Sequence, residues 1–211
     1  MTRPTHRRAF LLGTSALAVA IVSGRDARAG DPLGDVTRAR EGMRSLVAKF
    51  EQTRVIGLLA QPVTSKGELT VVPPTDLRWE LFAPDATVYW INKDGAFVKS
   101  GSSGKATRAP SGSFGAVLSD MMTFIAGDMK KLESRYALDA AANADGSVKI
   151  VAKPKSADLE KIVRRIELVT NTDKWGVARV VIEEASGDSS TIVFEKNVRD
   201  AKVDAAKMKP S

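Results

Sequence analysis

From Leu46 to Val198 the chain is written in short runs whose apolar residues fall at every second position, with turn-forming residues between the runs. The stretch SKGELTVVPPTDLRWELFAPD, Ser65 to Asp85, is the clearest case. Leu69 and Val71 share one parity; after the Pro73-Pro74 break, Leu77, Trp79 and Leu81 share another, with Glu68, Thr70, Arg78 and Glu80 in between. Successive side chains of a strand point to opposite faces, so each run has one apolar face and one polar face. An antiparallel sheet built from such runs cannot leave its apolar face in water. The chain must therefore supply something to cover that face.

The supply of helix is small. Asp31-Pro32 starts one well, as an N-cap residue followed by proline in the first turn, and Leu33, Val36, Ala39 or Arg40, Met43, and Leu46 or Val47 recur at helical spacing. A strand then runs to about Ile56, two more occupy the Ser65–Asp85 stretch, a fourth holds Val88 and Trp90, and a fifth follows the Asp94-Gly95 turn and holds Phe97. Ser100 to Gly112 reads as a mobile loop. Next comes a second helix, capped by Ser113 and ended by Gly127. Its broad apolar face holds Phe114, Val117, Leu118, Met121, Met122, Phe124 and Ile125. A short helical turn spans Asp128 to Ser134. The remainder alternates again, around Tyr136 and Leu138, Val148 and Ile150, Ile166 and Leu168, Val180 and Ile182, and Ile192 and Phe194. About ten or eleven strands thus face two modest helices. Either the sheet curls on itself or an apolar cavity lies between sheet and helices.

Charge and composition remove several functions. The chain of 211 residues carries a formal charge of +7, but the first 29 residues hold five arginines against the single Asp26, which leaves only +3 for the rest. That removes the basic surface a nucleic-acid binder needs. The same 29 residues read as a secretory signal: Arg7-Arg8, an apolar run from Phe10 to Gly24, and an Ala27-Arg28-Ala29 cleavage site. HRRAFLL is similar to the twin-arginine export motif, with an ordinary secretion signal as the alternative. Cleavage after Ala29 would place a single domain, residues 30–211, in the periplasm. The chain has no cysteine, so the exported protein rests on its core without disulfides and carries no cysteine-linked lipid.

Reactive chemistry is sparse as well. The one histidine is His6, inside the signal. Without His or Cys the exported chain has no Ser-His-Asp or Cys-His nucleophile and lacks most zinc ligands. GSSGKAT has Ala106 where a phosphate loop needs Ser or Thr, and SGSFG is not a nucleophile elbow. No catalytic residue, cofactor or metal is expected, and a carboxylate enzyme is disfavoured for want of a paired acidic motif.

These runs resemble the LolA-like periplasmic carriers of outer-membrane lipoproteins over nearly the whole exported chain. KFEQTR is similar to the family's Phe-x-Gln motif. GELTVVPPTDLRWELFAP is similar to its Gly-x-Leu, Pro, apolar-x-Trp, Pro signature. NKDG is similar to its Asp-Gly turn, and VAKPK and VDAAKM match later strands in order. The resemblance implies an α+β, mostly antiparallel fold: an unclosed, curved β-barrel with a helical lid over an apolar cavity that holds acyl chains. It implies a monomeric carrier that takes lipoprotein acyl chains, or a related lipid, from an inner-membrane ATP-driven extractor to an outer-membrane acceptor. That acceptor is itself anchored through cysteine, so the absence of cysteine favours the carrier. The alternative is an envelope sensor of the same fold that binds a membrane partner, a reading that expects a second domain after the barrel.

On this reading the sheet side of the cavity is Phe50, Leu69, Val71, Leu77, Trp79, Leu81 and Trp90. The lid side is Leu118, Met121, Met122 and Ile125. Thr70 is expected to face solvent. In the family an arginine before the proline at the end of the second strand helps hold the lid shut. Pro73 stands there, so a weakly latched lid is expected.

Overall fold

The computed structural model describes residues 30–101, 104–109, 114–126 and 128–211, apart from the helix side chains at 114–117, 122 and 126. The signal-peptide reading, the Ser113 cap, the Gly127 stop and the side chain of Met122 lie outside the described residues. Asp31–Ser211 forms one compact unit.

In chain order the elements are α1 (Pro32–Arg40), β1 (Leu46–Val55), β2 (Val63–Val72), β3 (Asp76–Leu81), β4 (Thr87–Asn92), β5 (Gly95–Ser100), β6 (Thr107–Arg108), α2 (Phe114–Ala126), α3 (Met129–Glu133), β7 (Tyr136–Ala142), β8 (Val148–Pro154), α4 (Ala157–Glu160), β9 (Val163–Thr170), β10 (Val177–Glu184) and β11 (Ser189–Arg199). Two small elements escape the sequence reading. β6 is a two-residue strand inside the predicted loop, and α4 is a single turn capped by Ser156, too short to carry periodicity.

All eleven strands form one antiparallel sheet in the order β6-β5-β4-β3-β2-β1-β11-β10-β9-β8-β7. It consists of two meanders joined where β1 meets β11. The edges are β6 and β7, so the barrel is not closed. The chain passes from one edge to the other through α2 and α3. α2 packs on β2, β4 and β5, whereas α1 packs on β7 and β8, so the helices cover one face of the sheet. Among the described residues no helix is long and apolar enough to cross a membrane.

Alternation places the core. Along β1, Leu46, Ala48 and Phe50 are buried while Lys49 and Glu51 are exposed. Cross-strand partners share a face, so the register aligns the inward residues in rows. Leu46 pairs with Val71, Leu77 with Val71 and with Ile91; Ala48 pairs with Leu69, and Trp79 with both Leu69 and Tyr89. Phe50 pairs with Gly67 and Phe194, and Gly67 with Leu81. Gly67 is required at its place: a Cβ there would collide with the carbonyl oxygen of Glu80 and the ring of Phe50. The missing side chain lets Phe50 lie across β2 and meet Trp79, ring centroids 4.0 Å apart, with Phe194 closing the trio at 5.9 and 6.2 Å.

Candidate functional site: an apolar interior under a latched helix

The inward face of β1–β4 and the inner face of α2 form one apolar cluster. Phe50, Leu69, Val71, Leu77 and Trp79 from the sheet meet Leu118, Met121, Phe124 and Ile125 from the helix, with half-buried Leu81 packed against them. Trp79, Leu69, Leu118 and Ile125 are fully excluded from solvent. The two walls pack directly against each other in one buried cluster.

Trp90 requires correction. It pairs with Arg78, so it lies on the outward face, and its indole nitrogen donates to the carbonyl of Lys207 at 2.8 Å. TVYWIN is apolar on both parities, and alternation alone chose the wrong one; Tyr89 and Ile91 are the inward residues. Thr70 requires correction too. It does face outward, but it is only 6% exposed. Residues 202–208 lie over it, and with Arg78 they line a cavity of about 170 Å³ beneath the C-terminal segment. The same segment is tied down by the Ser45 hydroxyl, which donates to the carbonyl of Ala201, and by the Ser211 carbonyl, which accepts from Ala106 N–H.

Polar contacts do hold the lid, at residues other than the one sought at Pro73. Arg40, at the end of α1, is 4% exposed. Its Nη1 donates to the carbonyl of Phe124 in α2 and its Nε to the carbonyl of Trp175, at 3.1 Å, in the β9–β10 loop. Nη2 is buried without a partner. Burial pulls the guanidinium down to about 10, since removing a cation from water disfavours the charged form. α1 is itself pinned to the same loop by Lys174, whose ammonium donates to Asp35 at 2.7 Å, and Asp35 is held below its ordinary carboxyl value by Lys174 and then Arg38.

A second latch sits one turn earlier in α2. Asp120 is the one charge in FGAVLSDMMTFIA, and it is buried. It accepts from the Tyr136 hydroxyl at 2.6 Å, and Arg135 grips it through Nε at 3.0 Å and Nη2 at 3.1 Å. Burial, reinforced by the Asp120 bond, pushes the Tyr136 phenol well above its usual value. Both latches left a trace in the sequence. Arg40 occupies a position of helical apolar spacing, four residues after Val36, and Asp120 interrupts an apolar helix. A charge on a buried face asks for a partner, but the sequence does not say which.

An open antiparallel sheet with an apolar inward face, covered by a helix held through a few polar bonds, defines a lidded half-barrel binding fold. The chain belongs to the family described as outer membrane lipoprotein carrier protein LolA, which matches residues 41–211. No curated protein matches its sequence. Among the solved structures similar to it are the following three. A DUF1329 family protein from Desulfovibrio piger is 11% identical, with 85% of this chain and 98% of that one covered, at a TM-score of 0.49. A LolA superfamily protein from Nitrosomonas europaea is 11% identical, with 86% and 97% covered, at 0.46. The Mycobacterium tuberculosis lipoprotein LppX is 16% identical, with 83% and 99% covered, at 0.43.

Proposed function

We propose that the protein is an exported, monomeric carrier. It binds the acyl chains of lipoproteins, or a related lipid, between the inward face of β1–β4 and the lid helix α2, and conveys them from the inner to the outer membrane. The observation that carries this reading is the construction of the lid. Its described buried face is apolar apart from Asp120 and Thr123, and among the described residues the side-chain bonds that tie it to other elements are Arg40 on the Phe124 carbonyl and Tyr136 with Arg135 on Asp120. A cover needed only for stability gains nothing from two buried charges; apolar packing would serve as well. A cover that swings away needs bonds that break and re-form at defined places.

The energetics suit such a swing. Each buried methylene contributes about 0.8 kcal/mol, so a few acyl chains exceed the cost of releasing a handful of hydrogen bonds and separating the walls. No polar anchor or catalytic step is required. The charged start, apolar run and Ala27-Arg28-Ala29 site support export with cleavage after Ala29, and family membership supports the wider assignment: residence in the periplasm, collection from an ATP-driven extractor and delivery to an outer-membrane acceptor.

The test is displacement of a fluorescent fatty-acyl probe from the purified protein by lipopeptide. Saturable binding near one equivalent supports the reading, and the absence of any binding of probe or lipopeptide ends it.

A further inference from the structure

The inward rows of the sheet change character past Phe50. On β1 the next inward residue is Gln52, paired with Ser65 of β2, and after it comes Arg54, paired with Ser190 of β11. Gln52 is 2% exposed, Ser65 8% and Ser190 0%. The apolar interior thus ends in a polar wall, buried at Gln52, Ser65 and Ser190 and open to solvent at Arg54.

Most of that wall is already engaged. The Ser65 hydroxyl donates to the Asp85 carboxylate, and Arg54 lies 4.0 Å from Glu184. Gln52 is the exception. Its Nε2 reaches the Ser190 hydroxyl at a long 3.4 Å, and its Oε1 is buried with no partner. Turning the amide over only moves the deficit to the NH₂ group, so either orientation leaves half of it unmatched. A buried carbonyl without a donor is destabilising, and leucine or methionine would fill the place without that penalty. Glutamine here makes sense if a ligand supplies the missing hydrogen bond.

We propose that Gln52 is the head-group residue of the acyl site: its side-chain carbonyl receives a hydrogen bond from an uncharged donor, a hydroxyl or amide N–H, at the polar end of a bound acyl chain. This rests on the carrier reading and adds its polarity, with the chain lying over Phe50 and Trp79 and the head one row beyond. Anionic heads are disfavoured, because the Asp85 carboxylate is part of the wall and Arg54 is already beside Glu184. The inference gives the glutamine of the Phe50-Glu51-Gln52 motif a task separate from that of Phe50, which packs on Trp79.

The experiment compares two competitors with the same chain, monooleoylglycerol, which carries hydroxyl donors, and methyl oleate, which carries none. Each displaces a fluorescent fatty-acyl probe from wild type and from Gln52→Leu, and thermal unfolding is recorded for both proteins. Wild type is expected to prefer monooleoylglycerol roughly tenfold, the worth of one hydrogen bond. Gln52→Leu is expected to lose that preference, keep its affinity for methyl oleate, and unfold at a higher temperature. Equal affinity of wild type for the two lipids, or a preference that survives in Gln52→Leu, overturns the assignment and leaves the carrier reading standing. Should Gln52→Leu fail to fold, Gln52→Met, unbranched and close in volume, is read by the same criteria. If wild type binds neither lipid nor the probe, the carrier reading itself is overturned, and this inference falls with it.

Discussion

The guanidinium of Arg40 donates to the main-chain carbonyl of Phe124, across 84 residues of sequence, and so ties the N-terminal helix to the lid. Its other bond, to the Trp175 carbonyl, makes it the meeting point of α1, α2 and the β9–β10 loop. Arg40→Met keeps the aliphatic length and removes the fork. Because it also removes a buried cation with an unmatched Nη2, global stability is expected to change by no more than about 2 kcal/mol. Amide hydrogen exchange in residues 118–125 should instead accelerate by at least roughly tenfold, the worth of one such bond. Unchanged exchange there would mean that Arg40 does not hold the lid.

The second latch predicts a response to alkali. Tyr136 has a folded-state pKa raised above the ordinary 10.0, so its proton is retained on folding. Below pH 10 both folded and unfolded phenols are protonated and the contribution is complete. Above it the unfolded chain releases a proton that the folded chain keeps, and stability falls as pH rises. Tyr136→Phe should cost about 1–2 kcal/mol at neutral pH. Its deficit relative to wild type should shrink above pH 10, which denaturant titrations at pH 7 and pH 10.5 will measure. A deficit that stays constant contradicts the assignment.

Gly67 is where the sheet allows the least change. Gly67→Ala pushes against the Glu80 carbonyl and the Phe50 ring together, and overpacking of this kind costs about 1–3 kcal/mol. Because Phe50 must leave Trp79, the tryptophan emission should shift in the same variant. Wild-type stability with an unshifted spectrum would show that the Phe50–Trp79 contact does not depend on the glycine.

The inward and outward faces can be told apart by a charge. Leu81→Glu, at a half-buried position, is chosen because fully buried Leu77 tolerates a carboxylate less well. An unpaired carboxylate at the wall of an apolar site is costly to bury, so acyl-probe affinity should fall at least roughly tenfold. The control is exposed Thr64, since the C-terminal segment covers Thr70, and Thr64→Glu should bind as wild type does. Equal affinity in the Leu81 and Thr64 variants would sink the inward assignment.

Export is tested at the protein terminus. Mass spectrometry of the mature chain is expected to give Gly30 as the first residue, and lysines in place of Arg7 and Arg8 should block export only if the twin-arginine route is used. A chain recovered intact in the inner membrane would refute cleavage.

The strands of this protein were legible because their information is local. Alternation along β1, β2 and β3 named Phe50, Leu69, Val71, Leu77, Trp79 and Leu81 as one face, and the register joins them in rows. Alternation fails where both parities are apolar, as in TVYWIN, and there the pairing of Trp90 with Arg78 places it on the outward face. The lid helix was visible in its apolar face.

What the sequence could not supply is long-range. The partner of Arg40 is a carbonyl, a group every residue carries, so no residue type at either end of the bond announces it. The same holds for the cover over Thr70 and Trp90, where a polar C-terminal segment buries an outward face through main-chain acceptors at Ala201 and Lys207. Side-chain type and spacing determined the faces of the sheet, because burial depends on the residue itself. Only the tertiary structure decided which charges latch the lid and which face of β4 is inward, because those depend on backbone groups and strand register brought together from distant parts of the chain.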